Sequence, residues 1–373
     1  MPKLLYLVTE DWFLVSHFLP MVRTAVAAGF EVVVATRVRQ HRARIEQEGC
    51  RVVPLENERS SLASPEMLRG FARIWRILRN EKPDIVHCIS LRMLVLGGIA
   101  ARLQGVKWLV LAPVGLGHLW LNNNFIEDAA RGLSRIIVGR WLKGPGTRYM
   151  FENTEDPAEF GLAAGKPPVT IVPGAGVNPE DFPPTPEPTM PPLKVAVVSR
   201  MIEAKGIADA VAAVRRARAL GAPVELDLYG MPDPSNRRSC TEAELRAWSA
   251  EPGISWRGST ADIVGVWRTH HVAMLLTWYR EGVPRALIEA AASGRPIVTS
   301  DAPGCRDLVR NRREGILVPL RDTEAAAQAL VELSRDADLR ARLGQAAHAR
   351  FQERFTEAEV RRAIASAYAE FRV

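Results

Sequence analysis

Arg200 and Lys205 lie in VVSRMIEAKGI, between an apolar run that reads as a strand and a pattern that reads as a helix from about Ile207. Two cations beside a helix N-terminus make an anion site, because first-turn N–H groups and the helix dipole add to the side-chain charge. A diphosphate needs that arrangement: several donors and positive charge at fixed positions. The same two residues read equally well as solvated surface charges. Further on, in YREGVPRALIEAAASGRPIVTSDAPG, Glu281 and Glu289 stand eight positions apart. Pro284 suits the first turn of the helix that carries Glu289, where its missing N–H costs nothing. Backbone N–H groups around Gly282 and Val283 could face an anion, and Gly282, lacking a Cβ, permits close approach. The two carboxylates would repel that anion. They would accept hydrogen bonds from hydroxyls, which sugar rings supply. Acidic residues near a helix start also simply complement its dipole.

These residues need elements to hold them. Short β-rich runs (KLLYLV, EVVVAT, RVVPL, DIVHC, KWLVLA, RYMFEN) alternate with helical patterns through the first half of the chain. The alternation restarts at KVAVVSR and continues through PVELDLYG, ISWRG, VAMLLTW, PIVTS and GILVPL. Such alternation predicts parallel sheets covered by helices on both faces. The chain is therefore expected to be α/β, with two doubly wound Rossmann-like domains. The first would span 1–182 and the second 194–355, joined by a stiff linker at 183–193 (PPTPEPTMPPL). A last helix, 356–373, could pack back on the first domain. Ligands of such sheets bind beyond the carboxyl ends of the strands, which directs attention to a cleft between the domains.

Composition narrows the classes. A chain of 373 residues is long for one core. With 47% hydrophobic and 24% charged residues it has the balance of a globular protein. Four scattered cysteines, none in a CxxC pair, predict a reducing compartment with neither a disulfide framework nor a zinc site. The opening MPKLLYLVTEDW reads as a first strand rather than a signal peptide. No apolar run reaches the length of a membrane span, so a cytoplasmic location is expected. The net charge of +7 is uneven: residues 1–150 hold 21 Lys and Arg against 12 Asp and Glu. A basic first half suggests an anionic partner, such as an acidic lipid surface, nucleic acid or a phosphorylated substrate.

Together, SRMIEAKG and REGVPRALIEAAASGRPIVTSDAPGCRDLV resemble the retaining glycosyltransferases of family four, which have the two-domain GT-B fold. The resemblance extends to GILVPLRD and VPGAGVNPEDF. EDWFLVSHFLP and APVGLGHLW look like a subgroup that builds bacterial surface polysaccharides and lipid-linked oligosaccharides. The resemblance implies a donor, a UDP-sugar, whose diphosphate is held and stabilised on departure by Arg200 and Lys205. It implies that Glu281 meets the donor sugar's hydroxyls and Glu289 the ribose, with Gly282 and Val283 offering backbone N–H groups. Gly230 and Arg257 would lie near the base. His118 would face donor or acceptor, and Ser16 and His17 the acceptor. The leaving phosphate would take the acceptor's proton, so electrostatic stabilisation of the diphosphate would be the main catalytic term. Three departures stand out. The first-strand loop EDWFLVSH lacks the glycines common in relatives, Ser199 replaces a common glycine, and Ala204 a frequent glutamate.

Weaker signals were weighed beside these. His118 could equally be structural, and His17 a cap neighbour. Adjacent His270 and His271 rarely ligate one metal. The DAD run Asp336–Asp338 reads as helix capping, so no cofactor and no essential metal is expected. Residues 67–79 and 131–144 are basic, aromatic and amphipathic. Such faces usually pack on a core, but two in one basic domain suggest docking on an anionic membrane surface. A nucleotide-sugar 2-epimerase of the same fold is the alternative enzyme. A basic nucleic-acid-binding protein is the non-catalytic alternative, and no helix-turn-helix, RRM or zinc-finger signature supports it.

Overall fold

The computed structural model of the chain describes residues 1–56, 65–120, 125–236 and 238–371. It divides into two compact units. One comprises Met1–Gly176, Arg280–Gly282 and Glu357–Val373; the other comprises Val177–Tyr279 and Val283–Thr356.

The first unit holds β1 (Lys3–Glu10), β2 (Glu31–Arg37), β3 (Arg51–Pro54), β4 (Ile85–Ile89), β5 (Trp108–Ala112), β6 (Thr147–Phe151) and β7 (Val169–Ile171). All are parallel, in the order β3-β2-β1-β4-β5-β6-β7. The strands read as unbroken apolar runs because both faces are covered. Along β1, Leu4, Tyr6 and Val8 enter one apolar layer while Leu5 and Leu7 enter the other. The glycine-free first loop is no loop: β1 passes directly into the helix Asp11–His17. Buried Asp11 fixes that junction. Its carboxylate accepts from the backbone N–H of Trp12, Arg39, Gln40 and His41 at 2.6–3.0 Å. Burial pushes this carboxyl up, but the four N–H donors outweigh it and hold Asp11 below the usual range.

The second unit holds β8 (Leu193–Val198), β9 (Val224–Tyr229), β10 (Ile254–Gly258), β11 (Val272–Leu275), β12 (Ile297–Ser300) and β13 (Gly315–Val318), parallel in the order β10-β9-β8-β11-β12-β13. In each sheet the strand order reverses beside one central strand, β1 or β8. The crevice beyond the carboxyl ends at that reversal is where open α/β sheets bind ligands. Asp336 caps the helix Ala337–Arg354 through Leu339 N at 2.8 Å, as the DAD run predicts.

The proline-rich stretch departs from its expected role as linker. It lies within the second unit, where Arg295 donates to Thr185 and Pro186, His271 to Pro188, and Arg340 to Glu187. The chain passes between units at Gly176–Val177 and again at Thr356–Glu357. Extended prolines leave carbonyls unpaired along the strap; Arg295 takes up that of Pro186 and His271 that of Pro188.

The last helix, Glu357–Tyr368, belongs to the first unit. Val360, Ile364, Ala367 and Tyr368 join the layer of Leu4 and Tyr6. At its centre is a buried polar chain. Tyr6 donates to the Met21 carbonyl at 3.0 Å, so Tyr368 donates to Tyr6 at 2.7 Å and His87 Nδ1–H donates to Tyr368 at 2.9 Å. His87 Nε2 is then a bare acceptor, with no partner among the described residues. Burial pushes His87 down to about 3.

Two outcomes follow from that chain. Tyr368→Phe strands His87 Nδ1–H and should lower unfolding stability by about 1–3 kcal/mol in urea melts. The His87 imidazole protonates near pH 6.5 when unfolded but only near 3 when folded. Its contribution is therefore fully present above about pH 6.5 and is lost as the pH falls toward 3. A His87→Gln variant should show a shallower loss of stability between pH 6.5 and 4.5 than the parent, and parallel curves would refute the assignment.

Candidate active site

At the strand reversal of the second unit, the loops after β8 and β11 are bound to each other through backbone. Ala204 O accepts from Trp278 N and from Thr277 Oγ1, both at 3.1 Å. Gly206 has φ +69°, and a Cβ there would overlap the Leu276 carbonyl. Lys205 ends the short 3-10 turn Glu203–Lys205 just before that glycine, and the helix Ile207–Ala219 begins just after it. The loop after β9 is fastened the same way. Gly230, at φ +143°, lies against Ser199 O so closely that no Cβ fits. Met201 N donates to Met231 O at 3.0 Å, and Trp256 Nε1 donates to Gly230 O at 2.8 Å. The glycine expected near a base therefore has a packing reason of its own.

Arg200 projects from this frame, 40% exposed, with Nη1 on Asp233 Oδ2 at 2.7 Å. Burial pushes the Asp233 carboxyl up, but hydrogen bonds from Ser235 and Arg200 hold it below the ordinary range. Arg200 is thus partly exposed and keyed to a carboxylate the sequence reading missed. Arg257 pairs with Asp227 at 3.0 Å, and Asp227 also meets His270 Nε2 at 3.1 Å. His271 has separate partners, Lys194 N and Pro188 O. Among the described residues no three His, Cys, Asp or Glu side chains converge as a metal site.

The helix carrying Glu289 runs Arg285–Ala292. Pro284 is its N-cap rather than its first residue, with ψ 118°, and no side chain caps the first turn. Val283 is buried in the apolar layer of Leu287 and Ile288. Glu289 is buried too, which pushes its carboxyl up, while Arg285 Nε at 2.7 Å opposes that shift.

Arg280–Gly282 belong to the first unit. The Arg280 carbonyl accepts from Leu116 N and Gly117 N at 3.0 and 3.1 Å. Its guanidinium forks between Asp156 Oδ1 and Glu159 Oε1, each at 3.0 Å. Glu281 pairs with Gly115 in an antiparallel bridge, and its carbonyl takes Asn153 Nδ2 at 3.3 Å. A Cβ on Gly282 would overlap Glu152 Oε2. Gly282 thus permits the close approach of this carboxylate. The missed residues Glu152, Asn153, Asp156 and Glu159 follow β6 in FENTEDPAEF. The signal was a polar, acidic run directly after a buried strand.

Ser16 Oγ and His17 Nδ1 are 2.6 Å apart at the end of the helix Asp11–His17, with His17 against Phe13 and Phe18. His17 closes that helix and sits beside Phe18, the N-cap of the next. The side chain of His118 lies outside the described residues.

Residues 192–336 match the family model described as Glycosyl transferases group 1, and residues 3–137 match that described as Glycosyl transferase 4-like. The chain belongs to the family-four-like glycosyltransferases. Among curated relatives of this glycosyltransferase is N,N'-diacetylbacillosaminyl-diphospho-undecaprenol alpha-1,3-N-acetylgalactosaminyltransferase of Campylobacter jejuni. It is 23% identical over 89% of both chains. Another is UDP-Gal:alpha-D-GlcNAc-diphosphoundecaprenol alpha-1,3-galactosyltransferase of Escherichia coli, 25% identical over 77% of this chain and 73% of its own. Anabaena HepE, solved with UDP and glucose, shares the GT-B fold at a TM-score of 0.76 and 17% identity over 100% of both chains. The membership sets aside the epimerase and nucleic-acid readings.

In the glycosyltransferase, Arg280 ties the Glu281 loop to two acidic side chains, and Asp156 is only 1% exposed. Arg280→Met leaves both carboxylates without their cation. It should lower unfolding stability by roughly 3 kcal/mol, the low end for a broken buried pair because Arg280 is partly exposed. Denaturant melts of Arg280→Met against the parent would measure this, and an unchanged midpoint would dissociate the loop's position from the fork.

Proposed function

We propose that the chain is a retaining hexosyltransferase that moves a sugar from a UDP-sugar to a lipid-diphosphate-linked glycan in bacterial surface-polysaccharide assembly. The observation that carries the proposal is the switch point of the second unit. There Arg200 and Lys205 stand on a backbone frame clamped by Gly206 and Gly230, ahead of a helix N-terminus. Support for the donor comes from the UDP-galactose named for the E. coli relative and the UDP bound to Anabaena HepE. Support for the acceptor comes from the diphospho-undecaprenol carriers in the names of both curated relatives.

In this reading the bond between the sugar carbon and the diphosphate oxygen breaks as the acceptor oxygen bonds to the same face. The departing phosphate oxygen takes the acceptor's proton. Arg200 and Lys205 offset the charge that develops on the diphosphate. Glu281 accepts hydrogen bonds from the sugar's hydroxyls. Glu289, with one oxygen on Arg285, presents the other to the ribose. Gly282 and Val283 contribute backbone N–H groups. Gly230, Arg257 and His118 border the donor, and Ser16 and His17 face the acceptor. No metal has a role, since the protein's own cations neutralise the leaving group.

A lipid-borne acceptor calls for a membrane-facing surface. Of the two amphipathic segments, Pro65–Glu81 turns Ile74 and Leu78 into the core, with Phe71 and Trp75 packed alongside. Phe125–Ile136 does the reverse. Arg131 and Ser134 are buried, while Phe125, Ile126, Leu133, Ile136 and the following Trp141 are 47–87% exposed. Arg140 and Lys143 are exposed beside them. Apolar anchors flanked by cations suit the interface of an anionic bilayer, and among the described residues no helix is long and apolar enough to cross one. The first unit is accordingly assigned to the inner face of the cytoplasmic membrane as a peripheral protein.

Transfer from a panel of UDP-sugars to a short-chain lipid-diphosphate glycan tests the activity. Lys205→Ala should lower kcat by ~10²–10³-fold, whereas Glu289→Gln should mainly raise the donor KM, by roughly tenfold. Unchanged turnover in Lys205→Ala would remove the diphosphate assignment. Leu133→Asp with Ile136→Asp should reduce binding to vesicles rich in phosphatidylglycerol by about tenfold while leaving transfer to a soluble acceptor intact. Equal binding by parent and variant would reject the membrane face.

A further inference from the structure

The second unit contains a cavity of about 360 Å³ that the proposed transfer reaction does not use. His271 and Pro296, in its wall, immediately precede β11 and β12. The cavity therefore opens at the amino ends of the strands whose carboxyl ends carry the candidate active site. Two guanidinium groups line it, and they are not equivalent. Arg340 is fully engaged: Glu187 takes Nε and Nη2 at 2.5 and 3.1 Å, and Leu333 O takes Nη1 at 2.6 Å. Arg295, 3% exposed, donates only to neutral acceptors: Trp267 O at 2.7 Å, Thr185 Oγ1 at 2.5 Å and Pro186 O at 3.1 Å. Among the described residues no carboxylate lies within ion-pair distance of Arg295, and its Nη1 makes no hydrogen bond. Glu187 also lines the cavity and partly offsets the Arg295 charge, but both its oxygens are bound to Arg340. Burial still pulls the Arg295 guanidinium below its ordinary range, and the cavity at its side is where a direct counter-charge fits.

Two further groups meet the same space. Ser293 is 2% exposed, and its hydroxyl has no hydrogen-bond partner among the described residues. His348 donates Nδ1–H to Ala292 O at 2.8 Å, which leaves Nε2 as its open nitrogen. The C-terminal end of the helix Arg285–Ala292 would ordinarily repel an anion. Here its last four carbonyls are occupied. Glu289 O takes Ser293 N, Ala290 O takes Arg295 N, Ala291 O takes Gly294 N, and Ala292 O takes His348.

We propose that this cavity binds a small oxyanion, a phosphate or a carboxylate, through Arg295 Nη1 and Ser293 Oγ, with the His348 ring beside them in the same wall. Such a ligand ties the proline-rich strap, through Arg295, to the C-terminal end of the helix that carries Glu289. The site is separate from the donor reading and does not depend on it.

The test uses the full chain with ¹³C-labelled histidine, the His348 ring resonance being assigned by its loss in His348→Gln. Inorganic phosphate and, in a second arm, acetate are titrated against chloride at constant ionic strength. A His348 shift that saturates with phosphate or acetate but not chloride is expected, and the arm that saturates at lower concentration identifies the oxyanion. Ser293→Val should weaken that saturation by about tenfold or more, and Arg295→Met should abolish it. Arg295 also pins the strap, so Arg295→Met can fail to fold. Ser293→Val leaves every bond of the strap in place and decides the matter alone. A His348 response equal for phosphate, acetate and chloride, or unchanged saturation in Ser293→Val, overturns the site.

Discussion

The backbone of the second unit is closest-packed where its chemistry is expected. Ser199 O and Leu276 O, at the ends of β8 and β11, each press on a glycine in a neighbouring loop, Gly230 and Gly206. Both glycines hold φ values that L side chains rarely adopt, so the contacts tolerate no other residue without strain. Three consequences follow from these two contacts. The chain turns sharply enough after Lys205 to begin the helix Ile207–Ala219 at once. Arg200 is left on a rigid corner instead of a free loop. The loops after β8, β9 and β11 become one hydrogen-bonded frame: Met231 O takes Met201 N, Ala204 O takes Trp278 N and Thr277 Oγ1, and Gly230 O takes the Trp256 indole. Charge stabilisation by a fixed donor needs no reorganisation when the charge appears, and this frame is what fixes the donors.

The parallel sheets were legible because burial on both faces writes each strand as an apolar run. Only β7, three residues long, is too short to stand out as such a run. The cations and glutamates were legible as residue types at short spacing. Their partners were not. Asp233 lies 33 residues from Arg200, and Asp156 and Glu159 lie 124 and 121 residues from Arg280. Each of those acids is an ordinary surface-like residue in its own segment, and only the fold brings it to its cation. The linker was misplaced for a related reason. Proline content predicts an extended chain but says nothing of what the chain lies on, and Arg295, Arg340 and His271 supply that answer from far along the sequence.

The helix Phe125–Ile136 shows what amphipathicity leaves open. Periodicity identifies two faces; it does not say which is inside. In Pro65–Glu81 the apolar face is inside, as the base rate favours. In Phe125–Ile136 the polar face is inside because Arg131 reaches a buried backbone acceptor, Leu119 O, at 3.0 Å, and pairs with Asp128. Once Arg131 is committed inward, the helical period turns Leu133 and Ile136 outward. The excess positive charge of the first half then has a local meaning at Arg140 and Lys143, next to a surface that water solvates poorly.

The eight-residue spacing of Glu281 and Glu289 also takes on a physical sense. It does not place two carboxylates on one helix. Glu281 is positioned by backbone: a bridge to Gly115 and a carbonyl bonded to Asn153, both in the first unit. Glu289 is positioned by a helix of the second unit and by Arg285 one turn before it. The two groups consequently differ in environment. Glu289 is desolvated and balanced by one guanidinium, so its unbound oxygen is a strong acceptor for a neutral hydroxyl but a poor neighbour for any further anion. In the proposed transfer, a carboxylate held in that state would accept the hydroxyls of a sugar nucleotide and exclude its phosphates, which would be left to Arg200 and Lys205 after β8.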